Sequence, residues 1–103
     1  MKLKRSDAKN KAEEIRYGVK LFGSVSRARI LELLYAFTGK SFYQREIVFE
    51  TGLVLRAVQR ELSNLVALGI VKVRKTQNHV YYEINNNSPF YEPLKEICGL
   101  MME

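Results

Sequence analysis

The sequence predicts a mainly α-helical domain with one small β-hairpin, and three observations indicate this fold class. Apolar residues recur at helical spacing before residue 70 and again after residue 88. Two short stretches between those regions alternate apolar and polar residues, as strands do. Glycines stand at the expected breaks, namely Gly23, Gly39, Gly52 and Gly69. These observations predict four helices, a hairpin and a final helix.

The composition indicates one globular domain. A chain of 103 residues can bury a modest core, and 47% hydrophobic with 27% charged residues is typical of a folded rather than a disordered protein. No apolar run approaches the roughly 18 residues of a membrane span, and no apolar stretch of a secretory signal follows the basic N-terminus. The single cysteine, Cys98, excludes an internal disulfide. We therefore expect a cytoplasmic protein.

The positive charge is concentrated in the first 85 residues. The net charge is +6, and residues 86–103 hold one lysine against three acids. A positive surface suits a polyanion, but alone it favours nucleic acid no more than an anionic membrane, and it also promotes plain solubility.

The segment of residues 1–22 is predicted to form the N-terminal helix, with residues 1–5 frayed and Ser6 or Asp7 as the N-cap. Gly18 lowers its predicted stability by about 1 kcal/mol. Its apolar residues follow a heptad spacing and are Ala8, Ala12, Ile15, Val19 and Phe22. This narrow stripe must pack on the domain or on a second copy of the chain, and we favour a dimer interface.

The second helix is predicted from an N-cap at Ser24 to about Phe37, with Gly39 as its C-terminal stop. Arg27 and Arg29 lie off its apolar face. The buried face is predicted to contain Ile30, Leu33, Leu34 and Phe37.

The third helix is predicted to begin near Tyr43, because Ser41 and Gln44 have the spacing of a capping box. Ile47, together with Val48 or Phe49, faces inward. The helix ends at Gly52, where a left-handed backbone suits a tight turn, and Leu53 fills the angle before the next helix.

The fourth helix is the most informative segment, GLVLRAVQRELSNLVALG. Its apolar stripe contains Val58, Leu62, Leu65 and Leu68. The opposite face has no acid and carries Arg56, Gln59, Arg60, Ser63 and Asn64. Gly69 and Ile70 predict a Schellman cap against Leu65. A helix with an apolar back and such a front is a candidate DNA-reading helix.

The two predicted strands are Val71–Arg74 and Val80–Ile84. Asn78 is the residue expected to take a positive φ in the turn between them. The tip is basic and polar. These strands directly follow the third helix, the short glycine turn and the longer fourth helix. A hairpin in that position is called a wing.

The final helix is predicted to start with Ser88 as N-cap and Pro89 at the first helical position. Its apolar residues repeat at steps of four, three and four, and they are Phe90, Leu94, Ile97 and Met101. Two amphipathic terminal helices around a compact middle suggest a dimer built from the termini.

From Leu21 to about Leu100 the chain resembles the ArsR-like winged helix-turn-helix transcriptional regulators, in particular the small archaeal and bacterial ones. The matching segments are LFGSVSRARILELL, FYQREIVFETGL, AVQRELSNLVALGIV and VYYEIN with NSPFYEPLKEI. The resemblance implies a single domain over residues 1–103: a three-helix core with its wing at 23–88, an N-terminal helix at 1–22 and a C-terminal helix at 89–103. It also implies a homodimer with a recognition helix at about Val54–Leu68 and a wing at about Val71–Asn85.

Two departures from that family pattern stand out. The position before the recognition helix is usually a small polar cap, and here it is Val54 followed by Leu55, which loses a cap of about 1 kcal/mol. Leu55 can touch thymine methyl groups, or the face has partly turned toward protein contact. The wing tip has Gln77 and Asn78 where the family commonly has glycine.

The predicted function is sequence-specific binding of double-stranded DNA, with two recognition helices in major grooves about 34–36 Å apart. Arginine can read guanine and glutamine can read adenine. The alternative is a protein-interaction module with little DNA affinity. The side chains expected to contact DNA are Tyr43, Gln44, Arg45, Leu55, Arg56, Gln59, Arg60, Arg74, Lys75, Asn78 and His79.

The sequence offers no catalytic set and no cofactor motif. His79 and Cys98 are the only soft ligands, which is weak support for a metal site, so none is expected. Cys98 is interpreted as a small buried hydrophobe, with a thiol switch across the dimer as the alternative. An effector or a protein partner of unknown identity is compatible with this reading.

Overall fold

The computed structural model describes residues 16–101. This part of the chain forms five helices and a two-stranded antiparallel sheet, in the predicted order. The elements are α1 (Arg16–Phe22), α2 (Val25–Ala36), α3 (Gln44–Thr51), α4 (Leu55–Ala67), β1 (Val71–Lys75), β2 (Val80–Ile84) and α5 (Tyr91–Met101). The predicted fold, a winged helix-turn-helix flanked by terminal helices, is confirmed.

Helix α2 is the centre of the molecule and packs against each of the other four described helices and against β2. The hydroxyl of Ser24 accepts a hydrogen bond from the Arg27 amide at 3.1 Å, which confirms the predicted N-cap. The predicted buried face is wrong at Phe37, which is 51% exposed. The helix ends at Ala36, so Phe37 no longer continues the helical stripe.

The chain enters α3 through an extended residue rather than through the predicted capping box. The backbone of Phe42 pairs with that of Tyr82 through hydrogen bonds of 2.8 and 2.7 Å, which keeps Phe42 extended. Tyr43 is therefore the N-cap, and its amide donates to the carboxylate of Glu46 at 2.9 Å. The box predicted from Ser41 and Gln44 is wrong, since the Ser41 hydroxyl donates to Glu83 instead.

The turn between α3 and α4 is as predicted. Gly52 has a φ of 72°, and its amide donates to the carbonyl of Val48 at 2.9 Å. Leu53 and Val48 pack against the core, whereas Phe49 points outward and is 61% exposed. The sequence left Val48 and Phe49 open, and the structure selects Val48.

Helix α4 ends in the predicted Schellman cap. The amide of Ile70 donates to the Leu65 carbonyl at 3.0 Å, and that of Gly69 donates to Val66 at 2.9 Å. Val58, Leu62 and Leu65 are buried as predicted. Leu68 is half exposed because it is the C-cap, so its place in the apolar stripe is wrong.

The wing is a five-residue by five-residue hairpin that pairs Val71 with Ile84 and Lys75 with Val80. The loop over residues 76–79 is closed by a bond of 2.9 Å from the Thr76 amide to the His79 carbonyl. The positive φ predicted for Asn78 is wrong, because no non-glycine residue in the described range has one. A four-residue loop spreads the reversal over more residues than the two-residue turns that need positive φ.

The terminal helices α1 and α5 pack together on α2. A Cβ at Gly18 would lie 2.9 Å from the sulfur of Met101, so the glycine permits this close approach. The predicted start of α5, with Ser88 as N-cap and Pro89 at the first helical position, is wrong, because the helix begins at Tyr91. The Ser88 hydroxyl accepts a bond from the Phe90 amide at 3.0 Å within the turn that precedes the helix. Across residues 16–101, no helix is long and apolar enough to cross a membrane.

Candidate nucleic-acid interface

One surface of α4 presents four of the side chains that the sequence assigns to DNA. We call Leu55, Arg56, Gln59 and Arg60 the reading face, and all four are exposed. Leu55 and Gln59 are four residues apart, as are Arg56 and Arg60, so the members of each pair are neighbours on the helix surface. Arg56 and Arg60 lie opposite the buried stripe. The geometry therefore brings the predicted recognition residues together on solvent-accessible surface.

The one acid of α4, Glu61, is turned away from the reading face. Its carboxylate is buried against Arg27 of α2, with Oε2 2.6 Å from Nε and Oε1 3.4 Å from Nη2. Asn64 adds a bond of 3.4 Å from its side-chain amide. Sequence reasoning missed this ion pair, because nothing in a helical pattern tells which basic residue of another helix an acid will meet. Because Glu61 is held by Arg27, no carboxylate of α4 lies on the reading face beside Arg56 and Arg60.

The start of α3 is joined to the wing by a cluster of rings. The ring of Tyr43 lies 4.7 Å from that of Tyr81 and 5.3 Å from that of His79, between centroids. The hydroxyls of Tyr43 and Tyr81 are hydrogen-bonded at 3.1 Å, and this bond raises the pKa of Tyr43. The contacts set the wing at a fixed position beside the helix-turn-helix.

Arg74 is held by groups of the protein itself. Its guanidinium lies 3.4 Å from the Glu83 carboxylate and 4.3 Å above the ring of Tyr81, and it donates to the Ser41 hydroxyl at 3.3 Å. Lys72 also lies 3.9 Å from Glu83. The positive charge of Arg74 is therefore partly neutralised by Glu83, which the sequence alone does not indicate. Lys75, the next residue, is exposed.

An open groove of about 690 Å³ runs between α3, the first turn of α4 and the wing tip. We call it the wing groove. Its lining combines apolar and polar groups, and Arg45 is the one Arg or Lys side chain among them. The residues that line it are Tyr43, Gln44, Arg45, Val48, Leu55, Asn78, His79 and Val80. Six of the eleven predicted DNA contacts therefore meet around one depression.

The first turn of α4 is apolar and uncapped, as the sequence indicates. Val54 is the N-cap with no side-chain hydrogen bond, and it is 70% exposed. Leu55 follows it, and Phe49 precedes the turn; both are exposed. Three exposed apolar side chains within seven residues interrupt an otherwise polar surface.

The residues predicted for a dimer interface are used in different ways. Ala8, Ala12 and Ile15 lie outside the described residues. Val19 is half-buried, Leu94 and Ile97 pack against the chain's own core, and Met101 is buried within it. Phe90 is 46% exposed and is the member of the stripe with the most surface to offer a second subunit.

Cys98 is a buried neutral thiol next to α2. Burial, with a smaller contribution from the nearby Glu32 carboxylate, raises its pKa from 9.0 to about 12. Burial likewise raises the pKa of Tyr35 to about 12, with contributions from Cys98 and Tyr91. Between Arg16 and Met101, no three His, Cys, Asp or Glu side chains are grouped closely enough to hold a metal ion.

Comparison of the sequence with protein-family models and with curated proteins finds no match. Among solved structures, the chain is similar to the crystal structure of a predicted DNA-binding transcriptional regulator from E. coli. The TM-score is 0.57 over 95% of this chain and 96% of that chain, with 18% sequence identity. At this identity the likeness concerns the fold, and it extends over nearly the whole length of both proteins.

Proposed function

We propose that the protein is a transcriptional regulator of the ArsR-like type that binds double-stranded DNA sequence-specifically as a homodimer in the cytoplasm. The observation that carries the proposal is the reading face, an exposed set of two arginines, a glutamine and a leucine. The acid of the same helix is withdrawn into an ion pair with Arg27. Recognition helix α4 enters the major groove, and the wing lies along its flank.

The charge of the chain supports this docking. Six Lys and Arg side chains belong to α3, α4 and the wing strands, and the sequence carries a net charge of +6. Arg45 is exposed in the lining of the wing groove, and Lys75 is exposed at the end of β1, next to the loop of the wing, so both are accessible to the phosphates of bound DNA. Phosphate contacts fix the register of the protein, while Arg56, Gln59 and Arg60 read base edges.

The likeness to the E. coli protein, described as a predicted DNA-binding transcriptional regulator, supports the same function. So does the ArsR-like order of segments between Leu21 and Leu100. In the proposed dimer, the terminal helices set the two recognition helices about 34–36 Å apart, on a near-palindromic site. A signal acts by changing the relation between the two subunits.

The test is selection of duplexes from a random library, followed by binding measurements at increasing salt. We expect affinity to fall steeply with salt, because bound phosphates release counterions. Arg56→Ala and Arg60→Ala should each weaken binding to the selected site by about 5- to 150-fold. Neither should lower the melting temperature, since both side chains are exposed.

The matched control removes a positive charge elsewhere. Lys95 is exposed on α5, and its ammonium lies 5.7 Å from the ring of Tyr91. Lys95→Ala should leave affinity within about twofold of the wild type. Absence of binding to any duplex at low salt would contradict the proposal.

A second candidate function is protein recognition through the helix-turn-helix. The exposed apolar group of Phe49, Val54 and Leu55 favours it, since such patches mark interaction sites. A stable heterocomplex recovered by pull-down, lost in Leu55→Ser and accompanied by no duplex binding, would support this function instead. Salt-sensitive duplex binding that needs Arg60 would exclude it as the main activity.

A further inference from the structure

Three side chains form a chain of hydrogen bonds from the wing to the reading face. The hydroxyl of Tyr82 in β2 accepts a bond from the side-chain nitrogen of Gln44 in α3 at 3.0 Å. The side-chain oxygen of Gln44 accepts a bond from the side-chain nitrogen of Gln59 in α4 at 3.3 Å. The chain crosses the three elements that surround the DNA side of the domain.

Tyr82 is the member of this chain of hydrogen bonds whose backbone is held by a neighbouring segment. Tyr82 is half-buried and lies opposite Val73 in the wing sheet, and its backbone amide and carbonyl are both hydrogen-bonded to Phe42 on its other side. Gln44 is the first residue of α3 and is also half-buried. Gln59 at the other end is exposed. The exposure therefore increases from the sheet toward the DNA side, and Gln59 is the member of the three that is accessible to a ligand.

The direction of the bonds determines which atoms of Gln59 remain free. The side-chain nitrogen of Gln44 donates to Tyr82, so its side-chain oxygen is the atom that accepts the bond from Gln59. Gln59 then uses one hydrogen of its nitrogen, and it keeps its oxygen and its second hydrogen. One acceptor next to one donor is the complement of adenine, which presents the N6 donor beside the N7 acceptor in the major groove. Guanine presents two acceptors there and leaves the oxygen of Gln59 without a donor.

We propose that Gln59 reads an adenine in the major groove and that Gln44 and Tyr82 are positioning residues that hold its amide in the adenine-reading orientation. This inference rests on the proposed DNA-binding function and adds to it the base and the origin of the preference. Gln44 also lines the wing groove, so its amide lies where bound DNA excludes water. Exclusion of water strengthens such bonds, and the positioning is therefore strongest in the complex.

The experiment measures base preference at every position of the selected site for the full chain and five variants. Gln59→Ala should abolish an adenine preference of about 10-fold at one position of each half-site. Gln44→Ala and Tyr82→Phe should each reduce the preference at that same position by about threefold or more. Tyr82→Phe, which removes no expected DNA contact, should also leave the salt dependence and the affinity for unrelated duplex unchanged.

Tyr81→Phe is the matched control. It removes a hydroxyl from the neighbouring residue of the same strand, and that hydroxyl bonds to Tyr43 rather than to Gln44. We expect it to leave the adenine preference at the wild-type value. Gln44→Glu provides a second discrimination, because a carboxylate still accepts from Gln59. This variant should keep the adenine preference while binding all duplexes more weakly, through repulsion from phosphates.

The outcomes separate this inference from the function on which it rests. A wild-type protein that binds no duplex overturns both. Sequence-specific binding whose base preferences do not change in Gln59→Ala overturns the adenine contact alone. A Tyr82→Phe variant that weakens every sequence equally, with a lower melting temperature, overturns the positioning role and leaves Tyr82 as a structural residue.

Discussion

The guanidinium of Arg27 lies 2.6 Å from the carboxylate of Glu61, and this ion pair holds the buried side of α4 against the central helix α2. The Glu61 side chain is 7% exposed and that of Arg27 is 32% exposed. A carboxylate so deep requires a partner, because desolvation without one is costly. The pair therefore fixes the rotation of α4 and with it the direction of the reading face.

Replacement of Arg27 by methionine should destabilise the fold by about 1–3 kcal/mol, because it leaves the Glu61 carboxylate buried without a cation. Urea unfolding measures the loss. The double variant Arg27→Met with Glu61→Gln should recover part of it, since the remaining group is neutral. Lys20→Met, which removes an exposed charge from α1, is the control and should unfold like the wild type. An unchanged midpoint in Arg27→Met would mean that the pair contributes no net stability.

Serine at position 54 should stabilise the protein by about 1 kcal/mol. Val54 has φ −74° and ψ 152°, which is the backbone of an N-cap, and it offers no side-chain acceptor to the first turn of α4. Val54→Ser supplies that acceptor, and Val54→Thr should do so more weakly. Thermal unfolding tests the gain against Val54→Ala, which shortens the side chain without adding an acceptor.

The same variants test why the sequence keeps an apolar residue there. If Val54 contacts DNA or a protein partner, Val54→Ser should bind more weakly while it melts higher, a trade of stability for function. A serine variant that melts no higher than Val54→Ala would show that the first turn of α4 is already satisfied by solvent.

Local signals accounted for most of the fold. The Gly69–Ile70 cap, the Ser24 cap and the left-handed Gly52 each depend on residues within one turn of the chain, so the sequence was sufficient to predict them. The errors arose where a distant segment decides. Phe42 is extended because β2 pairs with it, and this displaced the predicted capping box at Ser41. The periodicity of α2 gave only part of its buried surface, because a central helix is covered on most sides.

The candidate site follows the same division. The exposed positions of α4 could be predicted from helical spacing, since the buried stripe determines its opposite side. The partners of those positions could not. Gln44 and Gln59 are fifteen residues apart, and the packing of α3 against α4 brings them into contact. Gln44 and Tyr82 are thirty-eight residues apart, and the packing of the wing on α3 brings them together. Arg74 was predicted to face DNA, and the structure adds the competing contacts with Glu83 and Tyr81.

The free energy of unfolding should fall as the pH rises above about 9, because the Cys98 thiol and the Tyr35 hydroxyl lose their protons less readily in the folded chain than in the unfolded chain. The pKa of Cys98 is raised from 9.0 to about 12 and that of Tyr35 from 10.0 to about 12, mainly by burial. Above pH 9 the unfolded chain therefore releases protons that the folded chain retains, and this favours unfolding. The stabilisation is complete below the unfolded pKa values and is lost as the pH approaches 12.

Urea unfolding from about pH 8 to about pH 10.5 measures this dependence. Cys98→Ala should lose stability less steeply with pH than the wild type, and the slope that remains belongs in part to Tyr35. Parallel slopes for the two proteins would indicate that the Cys98 thiol ionises as easily in the folded chain as in the unfolded one.

The dimer prediction is tested best at Phe90, because the other residues of its stripe in α5 also hold the subunit together. Met101 is buried beside Gly18, and Ile97 packs on the core, so a charge at either position would disturb the monomer itself. Phe90 is 46% exposed, and Phe90→Asp should convert a dimer into a folded monomer in sedimentation velocity. Phe37→Asp is the control, since Phe37 is 51% exposed at the end of α2. It should remain dimeric. A Phe90→Asp protein that sediments with the wild type would place the interface elsewhere.

If the Phe90→Asp protein is monomeric, its affinity for a two-half-site duplex should fall to that for a single half-site, because one recognition helix then binds without the other.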